Sequence, residues 1–304
     1  MTSLNLRGIF PPLPTSFDRD ENLLPEKIRF NIERLGRYDL AGFLILGSNG
    51  EQVMLSETEK IKAIAAAREA LPEGRILLAG TGCQSTRETI SLTRAAAAEG
   101  AHAVLVINPS YYKGNMNHDE LVKHYFDVAE ASPVPVLVYN MPANTGVDMT
   151  PRMIIAMAEH PNIIGLKESG GNMVKMGEVL GAVKTGFQVL AGGAGFLLPA
   201  LATGAVGGIL ASANIAPGHC IEIFRAFAEG DMIHAKEMQH RIIPVNSAVT
   251  ARWGVPALKA AMDHLGLYGG HVRRPLLPLR EDIRKQLLEL MDDRDLDLYK
   301  QNNQ

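Results

Sequence analysis

Short apolar runs alternate along the chain with longer amphipathic stretches. The runs read GIFPPLPT (8–15), AGFLILG (41–47), RILLAG (75–80), HAVLVIN (102–108), VPVLVYN (134–140), NIIGLK (162–167), FQVLAG (187–192) and VGGILAS (206–212). Each has strand length and is rich in Val, Ile or Leu. Most lack apolar–polar alternation, as expected of strands buried on both faces of a parallel sheet. Between them lie helix-like segments. Residues 56–71 open on Ser56 with Glu59 three positions on, a capping box, and residues 85–100 repeat the pattern with Ser85 and Glu88 and close on Gly100. The run ends fall near Gly47, Gly80, Asn108, Tyr139, Lys167, Gly192 and Ser212, about one βα unit apart. Eight such units fill residues 1–220. Residues 221–304 read as a helical appendix, with helices near 231–247, 254–266 and 280–298. The even spacing, with no G-x-G-x-x-G after the first run, favours a (β/α)8 barrel over a doubly wound open sheet.

Composition narrows the picture. A length of 304 residues and 46% hydrophobic content suit a barrel plus an appendix. The net charge is −3 and no basic stripe is visible, so no nucleic-acid partner is expected. The apolar stretches are too short to span a bilayer, so no membrane partner is expected. Two cysteines, Cys83 and Cys220, form no C-x-x-C pair, and the N-terminus lacks the features of a signal peptide. Both point to a reducing, cytoplasmic setting. The nine histidines show no H-x-x-x-H or H-E-x-x-H spacing, so no metal is expected. His118, His124, His234 and His240 fall in polar helical segments and read as surface residues.

Barrel chemistry belongs at the C-terminal ends of the strands. There Lys167 closes an apolar run in IIGLKESGG. Burying an ammonium at a barrel mouth costs hydration and favours a free amine able to attack a carbonyl. The plainer reading is a strand-end Lys facing water or paired with Glu168. Tyr139 ends the preceding run, 28 residues earlier, and neighbouring parallel strands bring both side chains to one mouth. A phenol beside an amine can shuttle protons, although a lone buried Tyr more commonly just satisfies its hydroxyl. Gly47-Ser48-Asn49-Gly50 offers backbone N–H groups and a hydroxyl to a carboxylate, or is a plain βα turn. Gly192-Gly193-Ala194-Gly195 has no Lys or Arg between Lys184 and Arg225, so it reads as room for a substrate and not as a phosphate clamp.

The segments GSNGE, GTGCQST, NPSYY, YNMPANTG and GLKESGG, with the helical C-terminus, run nearly end to end. Together they resemble the dihydrodipicolinate synthase / N-acetylneuraminate lyase family of pyruvate-handling aldolases. The resemblance implies a class I aldolase that needs no cofactor and takes a small-molecule 2-oxo acid. It makes Lys167 the imine-forming amine and Tyr139 the proton donor and acceptor. It assigns Ser48 and the Asn49 backbone to the substrate carboxylate, and Ile209 to the pyruvate site through its carbonyl. Ser48 would join a proton relay with Tyr139 and Tyr111, the last reaching in from a neighbouring subunit of a homotetramer (a dimer of dimers).

Within the family, PANTG, FQVLAGGAGF, GAVGG, QHRIIPVNSAVT and YGG are most similar to 4-hydroxy-2-oxoglutarate aldolase. That similarity implies cleavage to pyruvate and glyoxylate and adds Ser169 and Gly192 to the substrate site. Dihydrodipicolinate synthases resemble YN-x-P-x-R-T-G, and here Asn144 stands at the Arg position. Arg252 and Lys113 are candidates to supply the missing cation. The sialic-acid lyase typically has Leu there. The synthases' lysine-feedback site often carries His where this chain has Lys60. The alternatives are a dihydrodipicolinate synthase, a pyruvate-dependent aldolase or dehydratase for a sugar-derived 2-oxo acid, or a non-catalytic 2-oxo-acid binding protein. The intact set Lys167, Tyr139, Ser48 and Tyr111 speaks against the last.

Overall fold

A computed structural model describes residues 4–292, 296, 298 and 299. Its strands are β1 (Gly8–Phe10), β2 (Gly42–Ile45), β3 (Ile76–Gly80), β4 (Ala103–Ile107), β5 (Val136–Asn140), β6 (Ile163–Glu168), β7 (Gln188–Ala191) and β8 (Gly207–Ile209). All pair in parallel in the order β1-β8-β7-β6-β5-β4-β3-β2. The ring closes between β1 and β2 through three bonds. Ala41 N–H donates to Ile9 O (3.0 Å), Leu44 N–H to Pro11 O (3.1 Å) and Leu13 N–H to Leu44 O (2.9 Å). Pro11 and Pro12 have no N–H to add to this seam. The chain is a (β/α)8 barrel.

Successive side chains of a strand face opposite sides, and here both sides are dry. Leu137 and Tyr139 point into the barrel with Phe10, Leu44, Leu105, Leu190 and Ile209. Val136 and Val138 point outward into the layer beneath the helices. This is why the strands read as continuous apolar runs.

The helix Glu57–Glu69 starts with a complete capping box: Ser56 Oγ accepts from Glu59 N–H and the Glu59 carboxylate accepts from Ser56 N–H at 2.9 Å. At Thr86–Ala98 only half of the expected box forms. Ser85 Oγ accepts from Glu88 N–H (3.1 Å), while Thr89 Oγ1 donates to Ser85 O (2.9 Å). His124 departs from its surface assignment. The helix His118–Ala131 packs against Thr86–Ala98, which buries the ring and joins its Nδ1 to the Thr86 hydroxyl at 2.9 Å. Burial pushes its pKa down to about 4.

After β8, the helix Pro217–Glu229, within which residue 220 falls, lies against β1 and the helix Leu197–Thr203. Then come Met232–Ser247, a π-helical turn Ala248–Arg252, Gly254–His264 and Glu281–Asp292. The last helix is described as far as Asp292, and Leu296 and Leu298 are not helical. Positions 293–295 and 297 of the expected 280–298 helix lie outside the described residues. Among the described residues no helix is long and apolar enough to cross a membrane.

Candidate active site

Tyr139 and Lys167 are register partners in the β5–β6 ladder. Lys167 Nζ lies 4.0 Å from the Tyr139 ring centroid, and each residue is 4% exposed. Glu168 points the other way and does not engage Lys167. Its carboxylate is buried outside the barrel, taking Asn140 Nδ2 (2.9 Å), Gly170 N–H (2.5 Å) and Lys175 Nζ (3.3 Å). Lys175 also pairs with Asp148, and Asn140 Oδ1 accepts from Met149 N–H (3.0 Å). A buried carboxylate survives only with such partners. This cluster fastens the outer side of β5 and β6 while the inner side presents Tyr139 and Lys167.

Ser48 opens the 3-10 turn Ser48–Gly50 after β2, and its Oγ lies 3.2 Å from the Tyr139 hydroxyl. Burial alone would push the phenol pKa up. The neighbouring Lys167 and the hydrogen bonds with Ser48 and Lys167 outweigh it, and the net direction is down. A phenol so placed is suited to give and take a proton. Asn49 Nδ2 is buried with no hydrogen-bond partner. Ser169 Oγ makes no well-formed hydrogen bond either, yet it lies near enough to Tyr139 to favour the phenolate. Gly192 adjoins it, and its N–H donates to Glu168 O at 2.8 Å. An added Cβ there would fall 1.9 Å from Ser169 Oγ, so only glycine fits, and at Gly192 the space expected for a substrate is taken by the loop after β6. Ile209 ends β8 inside the barrel, opposite Phe10 in the register.

Of these groups Ser48 and Tyr139 line a cavity of about 540 Å³, together with Gly47, Asn108, Asn144 and Thr145, whereas Lys167, Asn49, Ser169, Gly192 and Ile209 are not part of its lining. That size suits a small organic ligand. Lys60, Cys83 and Glu88 also line it. Asn144 sits in the short helix Pro142–Thr145 and is exposed at the rim. Lys113 reaches the same loop, with Nζ 3.7 Å from where a Gly146 Cβ would stand. Arg252 instead stacks on Trp253 at 4.3 Å, and neither Arg252 nor Lys113 is part of the cavity lining. Tyr111 is not brought to Ser48 and Tyr139 within the chain. Its ring is 79% exposed, edge-on to Tyr112, while Gln84 Oε1 accepts its N–H and that of Ser110. Among the described residues no three His, Cys, Asp or Glu side chains converge as a metal site would need.

A buried ion pair near Ser48 went unforeseen. Glu51 Oε1 lies 2.6 Å from Lys259 Nζ, which comes from the appendix helix Gly254–His264. A signal existed in GVPALKAAM, where Lys259 sits between the apolar positions Leu258 and Ala261. A lone cation on the apolar face of a helix implies a buried counter-charge, but not which of many acids supplies it.

Residues 5–293 match the Dihydrodipicolinate synthetase family. The 4-hydroxy-tetrahydrodipicolinate synthase of Methanothrix thermoacetophila is 33% identical over 288 residues, covering 94% of this chain and 96% of that protein. The probable mitochondrial 4-hydroxy-2-oxoglutarate aldolase of Emericella nidulans is 35% identical over 273 residues, covering 88% of each. Among solved structures, a prophage protein of the dihydrodipicolinic acid synthase family from E. coli, in complex with pyruvate, superposes with a TM-score of 0.90. It is 30% identical, and the match covers 96% of this chain and 100% of that one. A strand-end Lys beside a Tyr in a barrel of this shape, matched along nearly its whole length, places the chain in the dihydrodipicolinate synthetase family of lyases.

Proposed function

We propose that this protein is a class I aldolase that cleaves 4-hydroxy-2-oxoglutarate to pyruvate and glyoxylate. The observation that carries the reading is the buried pair of Lys167 and Tyr139, with the Ser48 hydroxyl on the phenol. The Lys167 amine adds to the 2-oxo carbon and water leaves, giving an iminium. The Tyr139 phenolate takes the proton from the C4 hydroxyl. As the C3–C4 bond breaks, its electron pair flows into the iminium and glyoxylate departs. Tyr139 returns the proton to C3 of the enamine, and water releases pyruvate and the free amine. The iminium is the electron sink, so the scheme calls on no cofactor. The orphaned Asn49 and Ser169 polar atoms suit the substrate's oxygens.

The choice of substrate rests on the rim. An Arg would give a carboxylate-bearing aldehyde a bidentate grip. Asn144 offers only a neutral amide, which suits the smaller glyoxylate fragment, and the nearest cation the loop shows, Lys113, stands by Gly146 outside the cavity lining. The aldolase of Emericella nidulans supports this choice. The relatives named synthase favour a second reading, condensation of pyruvate with aspartate semialdehyde. We further infer a homotetramer in which the exposed Tyr111 completes a neighbour's Ser48–Tyr139 relay. One comparison tests the assignment. Borohydride with pyruvate should add one label, on Lys167, and kcat/KM for 4-hydroxy-2-oxoglutarate cleavage should exceed that for the semialdehyde. Condensation faster by about tenfold, 1.4 kcal/mol in barrier, would overturn the substrate and leave the imine chemistry standing.

A further inference from the structure

Ser48 belongs to a loop that is fastened from outside the barrel. The turn Ser48–Gly50 runs into Glu51 at φ +53°, a left-handed conformation that a non-glycine residue keeps only when its surroundings impose it. Glu51 N–H donates to Ser48 O at 3.2 Å, so the position of one fixes the other. The Glu51 carboxylate is taken wholly by the C-terminal part of the chain. Lys259 Nζ holds Oε1 at 2.6 Å, and Arg273 N–H donates to Oε2 at 2.8 Å. Lys259 is 1% exposed, donates to His271 O and lies 4.7 Å over the Phe17 ring. The Arg273 guanidinium holds the next turn through Met54 O at 3.1 Å. On the barrel side, Thr15 Oγ1 donates to Gly50 O (2.6 Å) and Gln52 Nε2 to Gly82 O (3.0 Å).

We infer that Lys259 and Glu51 are positioning residues: the helical appendix clamps the β2 loop so that Ser48 Oγ stays within reach of the Tyr139 hydroxyl. The inference rests on the proton-relay reading of Ser48 and Tyr139. Neither clamp residue touches the reacting atoms. Each acts through the three-residue span from Glu51 back to Ser48. A buried ion pair is an ambiguous stabiliser, because two desolvated charges offset much of their own attraction. It does fix a loop in one place, since only one geometry satisfies both groups.

The test needs no aldehyde. Exchange of the C3 protons of pyruvate in D2O reports enamine formation and the Tyr139 proton transfer together. In Lys259→Met the Glu51 charge is left buried without its counter-charge, held only by the Arg273 N–H, so Tm should fall steeply. The double variant Glu51→Met/Lys259→Met removes both charges at similar volume, and its Tm should recover. If the pair is a clamp, the double variant should still exchange about tenfold slower at saturating pyruvate, with half-saturation changed by less than about threefold. The limb of its pH profile that reports the phenolate should move to higher pH. The Ser48 bond lowers the Tyr139 pKa, and its loss raises it. Wild-type exchange with an unmoved pH limb in the folded double variant overturns the clamp alone. A wild-type protein that neither exchanges pyruvate protons nor is trapped by borohydride overturns the imine reading, and the clamp with it.

Discussion

Replacing Gly192 by Ala puts a methyl group where the loops after β6 and β7 already touch. The new Cβ would stand 1.9 Å from Ser169 Oγ and 2.8 Å from both Glu168 O and Ser169 Cα. The Ser169 hydroxyl can rotate away, but the two backbone atoms cannot. The Ser169 Cα is roughly 0.7 Å inside the ~3.5 Å at which carbon pairs sit favourably, and the Glu168 oxygen is also too close. The loops must part by about that distance, straining the bond from Gly192 N–H to Glu168 O. Overpacking of this kind costs ~1–3 kcal/mol, or a few degrees in Tm. The larger effect should be kinetic. Lys167 stands two residues before Ser169 on the displaced segment, and misplacing a reacting group by ~1 Å costs about 10²-fold. Pyruvate release from 4-hydroxy-2-oxoglutarate, coupled to lactate dehydrogenase, should show kcat down ten- to a hundredfold (~1.4–2.7 kcal/mol) in a protein that still melts cooperatively. A Gly192→Ala enzyme within about threefold of wild type, with unchanged Tm, would show that the contact is slack and the reasoning wrong.

Three further outcomes are expected. Tyr139→Phe should fold and still form the imine, while kcat drops about 10²–10⁴-fold; a rate within a few-fold of wild type would make Tyr139 a packing residue. Tyr111→Phe and Lys167→Ala, each inactive alone, should regain activity when unfolded and reassembled together. Full activity of a protein that sediments as a monomer would refute the shared site. Arg273 holds the Glu59 carboxyl down to about 2 from its ordinary 4.5. That pair therefore stabilises the fold above pH 4.5, and the contribution is lost as pH falls from 4.5 toward 2. Arg273→Met should lower Tm at pH 7 and flatten its decline through this window, and wild-type and variant curves that stay parallel would show the pair is not felt.

Much of the architecture was legible because burial on both faces leaves a simple mark. Leu137 and Val138 face opposite layers, yet both are apolar, so the strands stand out as unbroken runs. Lys167 and Tyr139 were legible for the same reason: each is a polar residue ending such a run, and the parallel register aligns them. What local pattern could not supply was long-range pairing. Glu51 and Lys259 lie 208 residues apart, and nothing near either names the other. His124 was misjudged because its polar neighbours Lys123 and Asp127 face solvent while the ring turns toward Thr86. The second capping box failed at a single side chain, for Glu88 caps nothing although its own N–H is capped. Tyr111 could not be placed from one chain, since among the described residues the ring contact it makes is with its neighbour Tyr112.

The junction of β1 with β8 also bears on how the chain survives its own synthesis. Gly8 pairs with Gly207, so β1 has no partner on that side until about 200 more residues have left the ribosome. At ~5–20 residues per second, the sheet spends about 10–40 s with an open edge. An unpaired edge is a template for aggregation. Here the two strands that meet last, β1 and β8, span three residues each, contain Gly8, Gly207 and Gly208, and on the β1 side run straight into Pro11 and Pro12. Such strands offer few donors to a stray chain. The features that leave the closed ring thinly bonded where β1 meets β8 therefore also protect the nascent protein during its most exposed interval.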